Sequence, residues 1–147
     1  IVFGELNGDS TKEMLAAVND AVANNDNVTI SLKPHPVCPV NFEKQNLSIV
    51  FEPIVEILPH YDLAIIARST SAAIDVYYSE VNLAVYLGNK ELNISPLRGF
   101  TDVIFARTVN DLRVIIESLG GRKKSAGRKD FFYLDNDLPR WQTLIMN

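Results

Sequence analysis

Three short segments of this 147-residue chain hold the side chains best suited to binding chemistry: Lys33-Pro34-His35-Pro36, Glu52, and Arg68-Ser69-Thr70-Ser71. In the first, an ammonium and an imidazole are each followed by proline. Proline fixes its own φ and restricts the residue before it, so the two prolines make a stiff, extended loop. Such a loop can anchor an anion or the edge of a base; the segment reads equally as a surface turn in which His35 caps a carbonyl. In the third, Ser69, Thr70 and Ser71 stand directly before a helical pattern. One hydroxyl is enough to cap a helix. Three of them, with free backbone donors and the helix dipole behind, favour a phosphate. Glu52 stands just before Pro53, where a carboxylate can accept paired hydrogen bonds from a ribose diol or favour the dipole of a following helix.

The elements that must position these residues are an alternation of apolar runs and helical patterns. Strands are expected at Ile1 to Phe3, Val28 to Leu32, Leu47 to Phe51, Leu63 to Ala67, Leu83 to Leu87 and Val103 to Ala106. Ser10-Thr11-Lys12-Glu13 offers a capping-box start to a helix whose apolar positions are Met14, Leu15, Val18, Ala21 and Val22. Asn24 to Asn27 stops it. Further helices are expected over Pro53 to Leu58, Ser71 to Ser79 and Asn110 to Leu119, the last closed by Gly120-Gly121. Phe131 to Leu134 is a further apolar run, and a terminal helix is expected from Pro139 onward. The alternation predicts an α/β, Rossmann-like fold, a parallel sheet with helices on both faces. All strand-to-helix loops of such a sheet share one edge, which gathers those after Phe3, Leu32, Phe51, Ala67 and Leu87 into one cleft. Residues 1–121 are expected to form this nucleotide-binding domain. Residues 122–147 are expected to add a basic loop and a helix that pack on it or on a missing amino-terminal domain.

Composition narrows the function classes. Apolar residues are 47% and charged residues 22% of the chain, the balance of an ordinary globular domain, and the formal charge of −4 offers no footprint for nucleic acid. The one dense basic run, Arg122, Lys123, Lys124, Arg128 and Lys129, reads as a solvated loop or as a patch for anionic lipid or a polyanionic acceptor. A single cysteine, Cys38, excludes an intrachain disulfide and a multi-cysteine zinc site. The two histidines, His35 and His60, fall on opposite edges of the expected sheet, so no metal centre and no cofactor are implied. Gly4 to Gly8 forms a glycine-bearing loop that matches neither a dinucleotide fingerprint nor a Walker motif. Asn93 to Gly99 is long for a loop of this kind, which favours a functional role. With neither a leader nor an apolar run of spanning length in view, a cytoplasmic setting is expected, with peripheral contact to the inner face of a membrane as an option. Ile1-Val2-Phe3-Gly4 reads as a strand already under way, so the chain is expected to be cut from a longer one.

The ordered set of Lys33-Pro34-His35-Pro36, Glu52 and Ser69-Thr70-Ser71 resembles the donor motifs of bacterial sialyltransferases with the two-Rossmann (GT-B) fold. A similar His-Pro loop occurs in capsule Kdo transferases and in polyol-phosphate transferases of the teichoic-acid type. The wider pattern, with Asn93 to Gly99 and Leu138-Pro139-Arg140-Trp141, looks like the carboxyl-terminal half of surface-carbohydrate biosynthesis proteins. The resemblance implies that Lys33 contacts cytosine, that His35 and Ser69-Thr70 contact phosphate, and that Glu52 holds the ribose of a CMP-activated sugar. His35 would be the one catalytic residue of this half, as acid to the leaving phosphate. The family's general base lies in an amino-terminal domain that is not in this sequence. The expected function is therefore donor binding in a glycosyltransferase of capsule or lipopolysaccharide synthesis. Its partners would be a nucleotide-activated sugar, a glycan acceptor and the missing domain. A nucleotide-sugar epimerase or polyol-phosphate transferase is the alternative among enzymes, and a flavodoxin-like or receiver-like regulatory domain the alternative outside them.

Overall fold

Leu63-Ala64-Ile65-Ile66-Ala67 is apolar at every position, so only a strand covered on both faces can bury it. In the computed structural model, which describes residues 1–38, 47–89, 92–119 and 139–145, it forms β4 (Leu63–Ala67). Its alternate side chains enter two separate cores: Ala64 and Ile66 pack with Phe3, Val76 and Tyr77, whereas Ile65 and Ala67 pack with Met14, Leu15 and Ile116. The other strands are β1 (Val2–Phe3), β2 (Ile30–Lys33), β3 (Leu47–Ile49), β5 (Asn82–Tyr86) and β6 (Ile104–Ala106). All six are parallel and lie in the order β3-β2-β1-β4-β5-β6. The expected α/β Rossmann-like sheet is therefore present.

Helices cover both faces. α1 (Gly8–Val22) and α4 (Val109–Leu119) bury their apolar stripes in one core. α2 (Ile54–Ile57), the 3-10 turn Leu58–His60 that continues it, and α3 (Ala72–Tyr78) line the other. α1 carries the chain from β1 outward to β2 on one face, and α3 carries it from β4 to β5 in the opposite direction on the other. Opposite directions on opposite faces are what a single crossover hand requires. The order reverses between β1 and β4, which is the position where open α/β sheets bind ligands. This order is that of dinucleotide-binding domains and differs from the 2-1-3-4-5 order of flavodoxin-like and receiver domains.

Two helix starts show how local chemistry competes. The expected capping box at Ser10 does not form. Asn7 caps α1 instead, its Oδ1 accepting from Asp9 N at 2.9 Å and Ser10 N at 3.3 Å, so the helix begins three residues earlier. Asn is as good a cap as Ser and lies nearer the strand end. At α4 a reciprocal box does form: Asp111 N donates to Thr108 Oγ1 (3.1 Å) while Asp111 Oδ2 accepts from Thr108 N (3.0 Å) and Arg107 N (2.9 Å). A short helix α5 (Pro139–Ile145) follows later. The expected stop at Gly120-Gly121, the basic run Arg122 to Lys129 and the run Phe131 to Leu134 lie outside the described residues, as does most of the 122–147 segment. Among the described residues, no helix is long and apolar enough to cross a membrane.

The bonds from Arg107 N and then Thr108 N hold the Asp111 carboxyl below the usual aspartate range. Asp111→Ala should lower stability by about 1 kcal/mol at neutral pH, the common worth of a helix cap. Because the folded pKa is depressed, that contribution is present above the unfolded aspartate value and lost as pH falls through the folded one. Urea titrations of both proteins should therefore show a gap in midpoint at pH 7 that closes in acid.

Candidate functional site

The carboxyl ends of the strands bring the three predicted segments to one edge. Lys33 ends β2, and its ammonium reaches across to β3's end, donating to Phe51 O at 3.2 Å and Glu52 O at 2.6 Å. Two of its three donors are thus taken by backbone carbonyls. Glu52 folds back on the same segment, its Oε2 accepting from Phe51 N at 2.9 Å. Bonds from its own and the Phe51 backbone, with a smaller contribution from the Lys33 charge, hold this exposed carboxyl below the usual glutamate range. Lys33 and Glu52 therefore form one unit, joined through the backbone of residues 51–52 rather than by a direct ion pair.

His35 opens a tight turn closed by Cys38 N donating to His35 O at 3.0 Å, with Pro36 in the position that favours such a turn. Val37 N donates to its Nδ1 at 3.3 Å. With Nδ1 an acceptor, Nε2 is the ring nitrogen left to donate. The segment does form a surface turn, but the imidazole accepts from a backbone N–H rather than capping a carbonyl.

Ser69, Thr70 and Ser71 do not act as one anion cradle. Thr70 is the cap, with Oγ1 accepting from Ala72 N at 3.3 Å and its carbonyl accepting from Ala73 N at 3.3 Å. Ser71 makes no side-chain capping bond and stands exposed at α3's start. Ser69 donates its hydroxyl to Glu5 Oε2 across the reversal between β1 and β4. α3 is also only seven residues long, so its dipole is modest.

Glu5 is the residue that sequence reasoning missed. It stands one position beyond Gly4 at the reversal point and is 4% exposed. Thr11 ties its loop to α1: the Thr11 hydroxyl accepts from Glu5 N at 3.1 Å and donates to Asn7 O at 3.1 Å. A carboxyl in the first strand-to-helix loop was the available signal, but its weight depends on strand order, which no local pattern carries. Beside it a cavity of about 10 Å³, bordered by Glu13, Ala67 and Tyr86 among others, has room for roughly one water. Burial, and then the Glu13 charge, push the Tyr86 phenol above its ordinary range.

No family model, curated protein or solved structure matches this chain. The candidate site thus rests on its own geometry.

The long loop after β5 has a packing reason for its length. Leu97 is 0% exposed, and the turn that delivers it is held by Asn93 Oδ1 and Ser95 Oγ, which accept from Ser95 N (3.1 Å) and Leu97 N (3.2 Å). Gly99 completes it at φ 89°, a conformation that favours glycine. His60 lies on the amino edge, away from His35, and among the described residues no cluster of three or more His, Cys, Asp and Glu could hold a metal.

The two serines separate structural from binding roles. Ser69→Ala removes the donor from a buried carboxyl and should cost about 1–3 kcal/mol of stability. Ser71→Ala should stay within about 0.5 kcal/mol. Equal effects in chemical denaturation would contradict this division.

Proposed function

We propose that this chain is the donor-nucleotide-binding domain of a glycosyltransferase of surface-polysaccharide synthesis, with a CMP-activated sugar as donor. The observation that carries the reading is convergence: the order β3-β2-β1-β4-β5-β6 gathers Lys33, His35, Glu52 and the Ser69–Ser71 segment along one edge, beside the reversal point. Small ligands of such sheets lie over that edge. The resemblance of the same residues, in the same order, to sialyltransferase donor motifs supplies the nucleotide and the reaction class.

In this reading the bond between the sugar's anomeric carbon and the phosphate oxygen breaks as an acceptor hydroxyl attacks that carbon. The phosphate oxygen gains negative charge as it leaves. His35 Nε2 donates to it, with the Ser71 hydroxyl as a second donor, and such preorganised donors are worth most where charge develops. The third hydrogen of the Lys33 ammonium remains for a cytosine acceptor. The exposed Glu52 carboxylate has one oxygen bonded to Phe51 N and the other available for ribose hydroxyls. The base that takes the acceptor's proton would come from a further domain, whose closure excludes water. The setting is the cytoplasm, peripheral to the inner face of the membrane where lipid-linked glycans are built.

Titration with CMP, followed by amide chemical shifts, should move residues around His35 and Ser71 more than UMP or FMN does. His35→Ala should weaken CMP binding about tenfold or more, the worth of a hydrogen bond to a charged group. The substitution should leave the fold intact, since Nδ1 supports only an exposed turn. A well-folded chain indifferent to every cytidine nucleotide would refute the reading.

A further inference from the structure

A cavity lies on the other edge of the sheet, and nothing in the donor-binding reading uses it. It has a volume of about 570 Å³ and opens between the 3-10 turn that ends α2 and the carboxyl-terminal turn of α3. That size is within the roughly 300–1,000 Å³ usual for small-molecule sites. Its walls are of two kinds. Leu58, Pro59 and Val81 present apolar surface, and Tyr61 and Tyr78 add two aromatic rings. Tyr78 is held in place by an edge-to-face contact with the buried Tyr77, with ring centroids 5.9 Å apart and planes at 80°.

The polar part of the lining is almost entirely acidic. Asp62, Asp75 and Glu80 all line the cavity and are exposed, and His60 is the one basic side chain beside them; no Lys or Arg is among the described residues at its wall. Among the described residues none of the three carboxylates makes a side-chain hydrogen bond or a close ion pair, although the amino-terminal ammonium of Ile1 acts on Asp62 at longer range. Three carboxylates around a concave, aromatic and aliphatic wall match one ligand chemistry: an ammonium group on a methylene stem. The stem fills the apolar part, the charge meets the carboxylates, and a tyrosine ring favours a cation within reach of its face. The carboxylates disfavour an anion there, and the Tyr61 and Tyr78 hydroxyls can add to an ammonium's polar contacts.

We infer that the cavity between α2 and α3, lined by Asp62, Asp75, Glu80, Tyr61 and Tyr78, is a binding site for aliphatic amines, either free polyamines or the lysine side chain of a peptide. The site is independent of the nucleotide edge, so its failure and the failure of the donor-binding reading are separate results. Exposed carboxylates each contribute modestly, up to about fivefold in affinity per ion pair, so binding in the millimolar to high-micromolar range is expected.

The test is titration of the full chain with cadaverine, following amide shifts and heat, with pentanediol as the uncharged stem of the same length. Cadaverine should shift residues 58–62 and 75–81, with affinity falling as salt is added, while pentanediol shifts them only weakly. The triple variant D62N/D75N/E80Q should bind cadaverine at least tenfold more weakly, with its circular dichroism spectrum unchanged. Tyr78→Ala gives a second variant, weakened about twofold to fivefold if the ring contributes. A lysine-containing tetrapeptide tells the two sources apart: competition at lower concentration than cadaverine identifies a protein's side chain, and weaker competition identifies a free amine. Equal binding of the diol, or undiminished binding by the triple variant, would overturn the assignment, as would the absence of any shift at millimolar cadaverine.

Discussion

β1 is only two residues long, yet it holds both halves of the sheet. Val2 and Phe3 pair with Leu32 and Lys33 on one side and with Ile65 and Ile66 on the other. The next residue, Gly4, continues the ladder through its N–H to Lys33 O at 2.9 Å. A Cβ on Gly4 would come within 3.2 Å of the Thr11 methyl and 3.3 Å of the His35 nitrogen. Backbone therefore approaches backbone at this point, and two loops take their positions from it. The loop after β1 turns into α1 under Asn7's cap. The His-Pro turn lies alongside, and Glu5 is delivered to the gap between β1 and β4. A side chain at position 4 would push these loops apart by tenths of an ångström, a distance that matters to hydrogen bonds and little to the core beneath.

How much of this was legible follows from which features are local. β4 was readable residue by residue, because an unbroken apolar run has one good solution in a parallel sheet. The start of α1 was misplaced because two capping patterns overlapped and the nearer one, Asn7, closed the shorter loop. The carboxyl edge could be inferred from alternation alone. Strand order could not, since β4 inserting beside β1 rather than beside β3 leaves no trace in any single segment. For that reason Glu52, Lys33 and His35 stood out as site residues, whereas Glu5 was read only as part of the glycine-bearing loop. The same limit applies to Ser69, Thr70 and Ser71: three like residues in a row have three different fates, decided by which neighbour each hydroxyl meets. The length of Asn93 to Gly99 was noticed correctly, but Leu97 plugging the core explains it without a ligand.

Glu5 also constrains where an anion can lie on this edge. A phosphate set directly against Ser69 would stand beside the carboxyl that Ser69 already serves. Two like unit charges about 5 Å apart repel by about 3 kcal/mol at the effective dielectric of a protein surface, and by about half that at 10 Å. One hydrogen bond from a serine returns only about 1.5–3 kcal/mol when its partner is charged. The balance at Ser69 is thus near zero or unfavourable. Moving the anion by one or two strand spacings of about 4.8 Å, toward β2, changes the sign. There it meets His35 Nε2, and Glu5 becomes a distant charge. In the donor-binding reading proposed above, the buried Glu5–Ser69 pair would act as a boundary that disfavours an anion at the reversal point and leaves the His35 turn to receive the phosphate.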